Sequence, residues 1–189
     1  MPIVTNQLIA ANNALAGYAV AKDLALLTVE QFGEVRLAHV GIGDASCCAA
    51  LAVVPNAGAG YGGIGPPYSA TFGNSRLAPG GLVPEIVGAH AERAALTAAG
   101  NAGLALYVIP GSNDAVLFVE LSPCAGCAAW LNGGGGGVAN PYNGVINGAG
   151  VTTLNVWYRW AYNAAGVAAM NAFHASSVTN QTSDILTNW

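Results

Sequence analysis

The sequence predicts an α/β domain: a mixed central sheet flanked by helices, with a metal site where two of the helices begin. Three observations carry that expectation. Short apolar runs of strand length alternate along the chain with longer runs of helical spacing. One helical run opens on Ala89-His90-Ala91-Glu92. Another opens on Pro123-Cys124-Ala125-Gly126-Cys127, directly after a strand-like run.

Taken in order, residues 5–32 read as a helix capped by Thr5 or Asn6, with Leu8, Ala11, Leu15 and Tyr18 at three-and-four spacing and Gly33 at its end. Residues 1–33 are thus expected to form a helical segment ahead of a domain over 34–189. Val35–Ile42 and Cys47–Val54 read as strands around a Gly-rich turn, which predicts a hairpin. Residues 55–67 are loop. Their Gly60-x-Gly62-x-x-Gly65 spacing is no dinucleotide site, because Pro66-Pro67 forbids the helix such a site needs. Tyr68–Phe72 reads as a strand leading into Gly73-Asn74. Ala89–Ala99 reads as a helix closed by Gly100-Asn101, and Leu104–Ile109 and Ala115–Leu121 as strands around a Pro110-Gly111 turn.

Cys124–Leu131 is a short helix, followed by five glycines from Gly133 to Gly137 and an Asn/Gly-rich loop to Gly150. Thr152–Arg159 reads as a strand and Asn163–His174 as a helix; the last dozen residues are polar and read as a frayed tail. Trp157, Tyr158, Trp160 and Tyr162 form an aromatic cluster, half of which at most can face one side of a strand.

Composition narrows the function classes. The chain has 189 residues, 53% hydrophobic and 7% charged, with a net charge of −4 and a single lysine, Lys22. That is far below the roughly 25% charged residues of an ordinary soluble domain, and no basic surface advertises nucleic-acid binding. No run reads as a membrane span, since Asn12, Asn13, Lys22 and Asp23 interrupt the most apolar stretch. No signal peptide is visible, which leaves localisation open, and Cys47-Cys48 read as buried strand residues.

The chemistry lies in the two motifs. A hydrolytic zinc centre takes three protein ligands and leaves a fourth position open. His90, Cys124 and Cys127 supply three ligands of suitable type. Cys124 and Cys127 are three apart and share one face of a helical turn, whose N-terminus favours thiolate. Pro123 suits the helix start. Glu92 is the carboxylate that can carry protons beside a metal-activated water, provided that it and His90 sit where the chain enters its helix. A closed structural zinc would need a fourth ligand, for which His39 or His174 is available.

His90-x-Glu92 followed by Pro123-Cys124-x-x-Cys127 resembles the cytidine deaminase-like superfamily, over about Val35 to Trp160. The resemblance implies a three-layer fold of that type, with zinc bound at the N-termini of two helices by His90, Cys124 and Cys127. It implies Glu92 as the catalytic residue and Asn74 and Ala91 as substrate contacts, unless Gly73-Asn74 simply makes a turn; Trp157, from the aromatic cluster, is a further candidate contact, on which a base could stack. It also implies hydrolytic conversion of cytosine to uracil, most simply in single-stranded nucleic acid as in toxin-type members, which meet immunity proteins. The alternative is a free cytidine, deoxycytidine or nucleobase as substrate.

Overall fold

The structure is a computed structural model and describes residues 1–37, 47–55, 67–75, 90–133, 140–147 and 150–189, the side chains of 34–37 excepted. Among them five strands form one mixed sheet: β1 (Ile3–Gln7), β2 (Cys48–Val53), β3 (Ser69–Asn74), β4 (Asp114–Leu121) and β5 (Thr153–Trp160), in the order β1-β5-β4-β2-β3. β1, β5 and β4 are mutually parallel, while β2 runs antiparallel to both β4 and β3. The C-terminal ends of β3, β4 and β5 therefore lie at the same end of the sheet as the N-terminal end of β2.

Helices cover both faces. On one, Ala91, Ala95, Leu96 and Ala99 of α2 (Ala91–Asn101) pack on Ala49, Leu51, Leu117, Val119, Leu154 and Val156. On the other, α1 (Tyr18–Leu37) and α5 (Val178–Asn188) pack on Ala50, Ala52, Val116, Phe118 and Trp157. Strand alternation sends successive residues of β4 and β5 to opposite cores. The short α3 (Ala125–Leu131) follows β4, and α4 (Ala164–His174) follows β5.

The N-terminus departs from the expected helix. Ile3-Val4-Thr5 is β-branched and pairs with Leu154–Val156 of β5, so residues 3–7 complete the sheet instead of starting a helix. Gly17 takes φ +86, a left-handed conformation that no helix continues through, and α1 begins only at Tyr18. Gly33 does not end α1; it lies inside it and packs against Val178. The boundary expected at 33/34 falls within this helix. The strand read over 35–42 is helical as far as Leu37, and the rest of it lies outside the described residues, as do 56–66 and 134–139 of the two loops. β2 instead has β3 along one edge and β4 along the other.

Two further expectations are corrected. Leu104–Ile109 is not a regular strand: it only bridges, Leu106 to Val53 and Ala105 to Ile146, continuing the edge of β2 that β4 occupies up to Leu51. The C-terminal tail is not frayed. Ser177 caps α5 by accepting from the Asn180 amide, and Val178, Gln181, Ile185 and Trp189 recur at helical spacing toward the core. Ile185 is fully buried, and such burial contributes about 1.5–3 kcal/mol. Lys22 Nζ bonds the carbonyls of Leu186 and Trp189, tying the helix end to α1. No helix among the described residues is long and apolar enough to cross a membrane.

α2 sits against β3 closely enough that a Cβ at Gly73 would run into the Ala91 carbonyl and the Ala95 amide. Thr71 Oγ1 fastens the same contact, donating to the Ala95 carbonyl at 2.9 Å. Gly73→Ala is therefore expected to destabilise the fold by about 3 kcal/mol, read as a lower urea midpoint. An unchanged midpoint would show that α2 can lift off β3 without penalty.

Candidate metal centre

Both motifs begin helices at the same end of the sheet. β3 ends at Asn74, and the chain returns at His90, which is the N-cap residue of α2 with extended backbone (φ −83, ψ 140). The His90 side chain makes no capping bond, so the imidazole is committed to no backbone amide of its own helix. β4 delivers the chain through Ser122-Pro123 to Cys124, the N-cap of α3, whose Sγ accepts from the Cys127 amide at 3.4 Å. Pro123 thus stands one residue outside the helix, before the cap. One donor atom each from His90, Cys124 and Cys127 lie within 4.8 Å of one another.

That spacing fits a metal ion. Tetrahedral coordination with bonds of about 2.0–2.3 Å separates donors by about 3.5 Å, within reach of small side-chain adjustments. Two thiolates and an imidazole suit a soft or borderline cation. His174, an alternative fourth ligand, is turned away on the other core face, bonded to Glu120; His39 lies outside the described residues.

Glu92 occupies the first turn of α2, 4% exposed, beside Cys127. Burial raises the Cys127 thiol well above its usual range, and the Glu92 charge raises it further, while Arg93 opposes both. The helix start, expected to help hold both sulfurs as thiolates, is outweighed at Cys127 by burial and Glu92, so a bound cation would have to take its proton. Arg93 spans the two motif helices, donating to the Gly126 carbonyl at 3.2 Å with its guanidinium 5.1 Å from the centre of the Trp130 ring.

A pocket of about 230 Å³ opens onto the ligands, lined by Cys47, Ser75, His90, Ala91, Glu92, Leu121, Ser122, Cys124, Tyr162 and Val167. Ala91 is in its wall as expected. Asn74 is not. Thr71 and Gly73 face α2 and Phe72 packs in the opposite core, so alternation sends Asn74 away from the site and Ser75 toward it. Trp157 is also excluded, fully buried on the far face against Tyr18. The aromatic at the pocket is Tyr162, 58% exposed just beyond β5.

The two serines have a shared feature that the sequence did not announce. Ser75 Oγ accepts from the Cys47 amide at 2.8 Å and Ser122 Oγ from the Tyr162 amide at 2.9 Å. Each hydroxyl keeps its own proton to donate. Burial and the charges of Glu120 and Glu92 raise the Cys47 thiol, which leaves a neutral S–H in the wall. Among the described residues, Glu92 is the one carboxylate in that lining.

No family model, curated protein or solved structure matches this chain.

A metal entering this site must displace the proton of a thiol whose pKa is raised, so its apparent affinity is greatest at high pH and falls as pH falls. Competition with a coloured chelator should show a loss of about tenfold or more per unit from pH 8 to 6. Cys124→Ser should abolish binding of the single equivalent. Affinity independent of pH would contradict a thiolate-containing site.

Proposed function

We propose that this protein is a zinc-dependent hydrolytic deaminase of the cytidine deaminase type, converting cytosine to uracil in single-stranded nucleic acid. The observation that carries the proposal is the convergence of His90, Cys124 and Cys127 within 4.8 Å, with Glu92 lining the same pocket as His90 and Cys124. An α/β sheet with both motifs at helix starts is also the architecture such an enzyme requires.

His90, Cys124 and Cys127 would hold the zinc ion, which would supply Lewis acidity to make water a nucleophile near neutral pH. The chain's own residues do the rest. Glu92 takes one proton from the water and passes it to the ring nitrogen, then takes the second from the hydroxyl now on the ring carbon that bears the amine and passes it to the departing amine, so that base and water give the carbonyl product and ammonia. Ser75 and Ser122 offer hydroxyl donors to acceptor atoms of the base. Leu121 and Val167 provide apolar wall.

The pocket volume is below the roughly 300–1,000 Å³ of sites that enclose drug-sized ligands, so it suits a single base with its sugar outside. Tyr162, exposed at the lining, offers a face on which a base of a longer strand can stack. A free nucleoside is the second reading, favoured by how the cations are used. Lys22 binds the end of α5, Arg93 joins α2 to α3, and Arg159 donates to the Leu8 carbonyl at 3.1 Å under Trp189. Arg76 and the Arg36 side chain lie outside the described residues. Few positive groups are thus left for phosphate contacts, which normally dominate nucleic-acid affinity.

Offering zinc-loaded protein free cytidine and deoxycytidine in one arm and a cytosine-containing single-stranded oligonucleotide in the other separates the two substrates. Conversion of the oligonucleotide is expected; conversion of the nucleosides alone would establish the second reading, and conversion of neither would remove the proposal. Glu92→Gln should keep zinc and fold yet lose about 100-fold or more in kcat. Turnover near wild type in that variant would remove Glu92 from the mechanism.

A further inference from the structure

β2 and β4 pair from Leu51 against Leu117 to Ala49 against Val119, and there the ladder stops. The next pair would be Cys48 against Glu120, closing the strands with backbone bonds. Instead the Cys48 N–H donates to Oε2 of the Glu120 side chain at 2.9 Å. Oε1 of the same carboxylate lies 2.8 Å from Nε2 of His174, in the last turn of α4. Glu120 is 1% exposed and His174 8%. The pocket lies at this end of the ladder: Cys47, just ahead of β2, lines it from one side, and Leu121 and Ser122, at the end of β4, from the other.

Burying an ionisable pair is unfavourable unless both groups are well bonded, and replacing such a pair by apolar side chains is often neutral or stabilising. Ordinary strand pairing would have satisfied the same Cys48 amide with a backbone carbonyl. We propose that Glu120, held by His174, is a positioning residue that keeps β2 and β4 apart at the pocket and so sets the width available to the substrate. α4 contributes at both ends: Val167 in its first turn lines the pocket, and His174 in its last turn steadies the carboxylate. The effect on turnover rests on the deaminase proposal; the spacing of the strands does not.

The test compares Glu120→Ala, Glu120→Gln and His174→Ala in the full zinc-loaded chain. It reads amide hydrogen exchange at Cys48, zinc bound per chain, and KM against kcat on whichever substrate the wild type converts. Glu120→Gln preserves length and an acceptor oxygen, so Cys48 protection and KM should stay within about threefold of wild type. Glu120→Ala should lower Cys48 protection by about tenfold to 100-fold and raise KM about tenfold, with kcat changed less and zinc retained. His174→Ala should shift both quantities in the same direction by a smaller factor.

Unchanged Cys48 exchange in Glu120→Ala overturns the proposal, as does zinc lost in step with activity, which would make Glu120 a support of the ligand loop. If Glu120→Ala does not fold, the other two variants decide: wild-type exchange and KM in His174→Ala, or lost Cys48 protection in Glu120→Gln, overturns it. A wild type that deaminates nothing defeats the deaminase proposal alone, because the exchange measurement needs no substrate.

Discussion

The seating of α2 on β3 is the contact on which the rest of the site depends. Gly73 offers no side chain, so the first turns of α2 approach the strand to backbone distance, and Thr71 locks the approach. That sets His90 and Glu92 at one end of the sheet. β4 runs in the same direction as β3, with β2 between them, so the chain turns into Cys124 and Cys127 at the same end of the sheet. Metal geometry tolerates errors of only a few tenths of an ångström. Two helix starts anchored to neighbouring parts of one rigid sheet can meet that tolerance, where ligands on long loops would have to be ordered at the moment of binding.

The second feature is how little charge the molecule carries and how fully the described charges are engaged. Lys22, Arg93 and Arg159 all bond backbone carbonyls across elements, and the two cationic guanidinium groups also lie over tryptophan rings. Glu120 faces His174. Burial and Glu92 both raise the Cys127 thiol, and Arg93 opposes them. A divalent ion bound there would convert thiol into thiolate, releasing the proton that burial and Glu92 hold on Cys127.

Much of this was legible in the sequence, and the failures have physical causes. The motif spacing located His90, Glu92, Cys124 and Cys127, because residues three apart on one turn and a cap residue two before a first-turn glutamate have little freedom. Strand and helix periods located β4, β5, α2 and α4. The N-terminus failed because Ile3–Gln7 becomes a strand only through β5, some 150 residues later, which no local pattern reports. α5 failed because its apolar positions are sparse within a polar run. Asn74 and Trp157 failed by strand parity: one step along β3 exchanges Asn74 for Ser75, and Trp157 has the phase of the opposite core. Ser75, Tyr162 and the Glu120–His174 pair became visible only once the strand ends were in register.

The proposed chemistry requires a centre with three protein ligands and one open position. Zinc K-edge X-ray absorption on the zinc-loaded protein tests it most directly, because sulfur and light-atom neighbours differ in bond length by about 0.2–0.3 Å. Two sulfurs near 2.3 Å and two nitrogen or oxygen neighbours near 2.0–2.1 Å, one of them exchangeable with a small anion, are about what an open site gives. A third sulfur, which Cys47 could supply from the pocket wall, or a light-atom shell that no added anion alters, would mean a closed structural site and contradict the account.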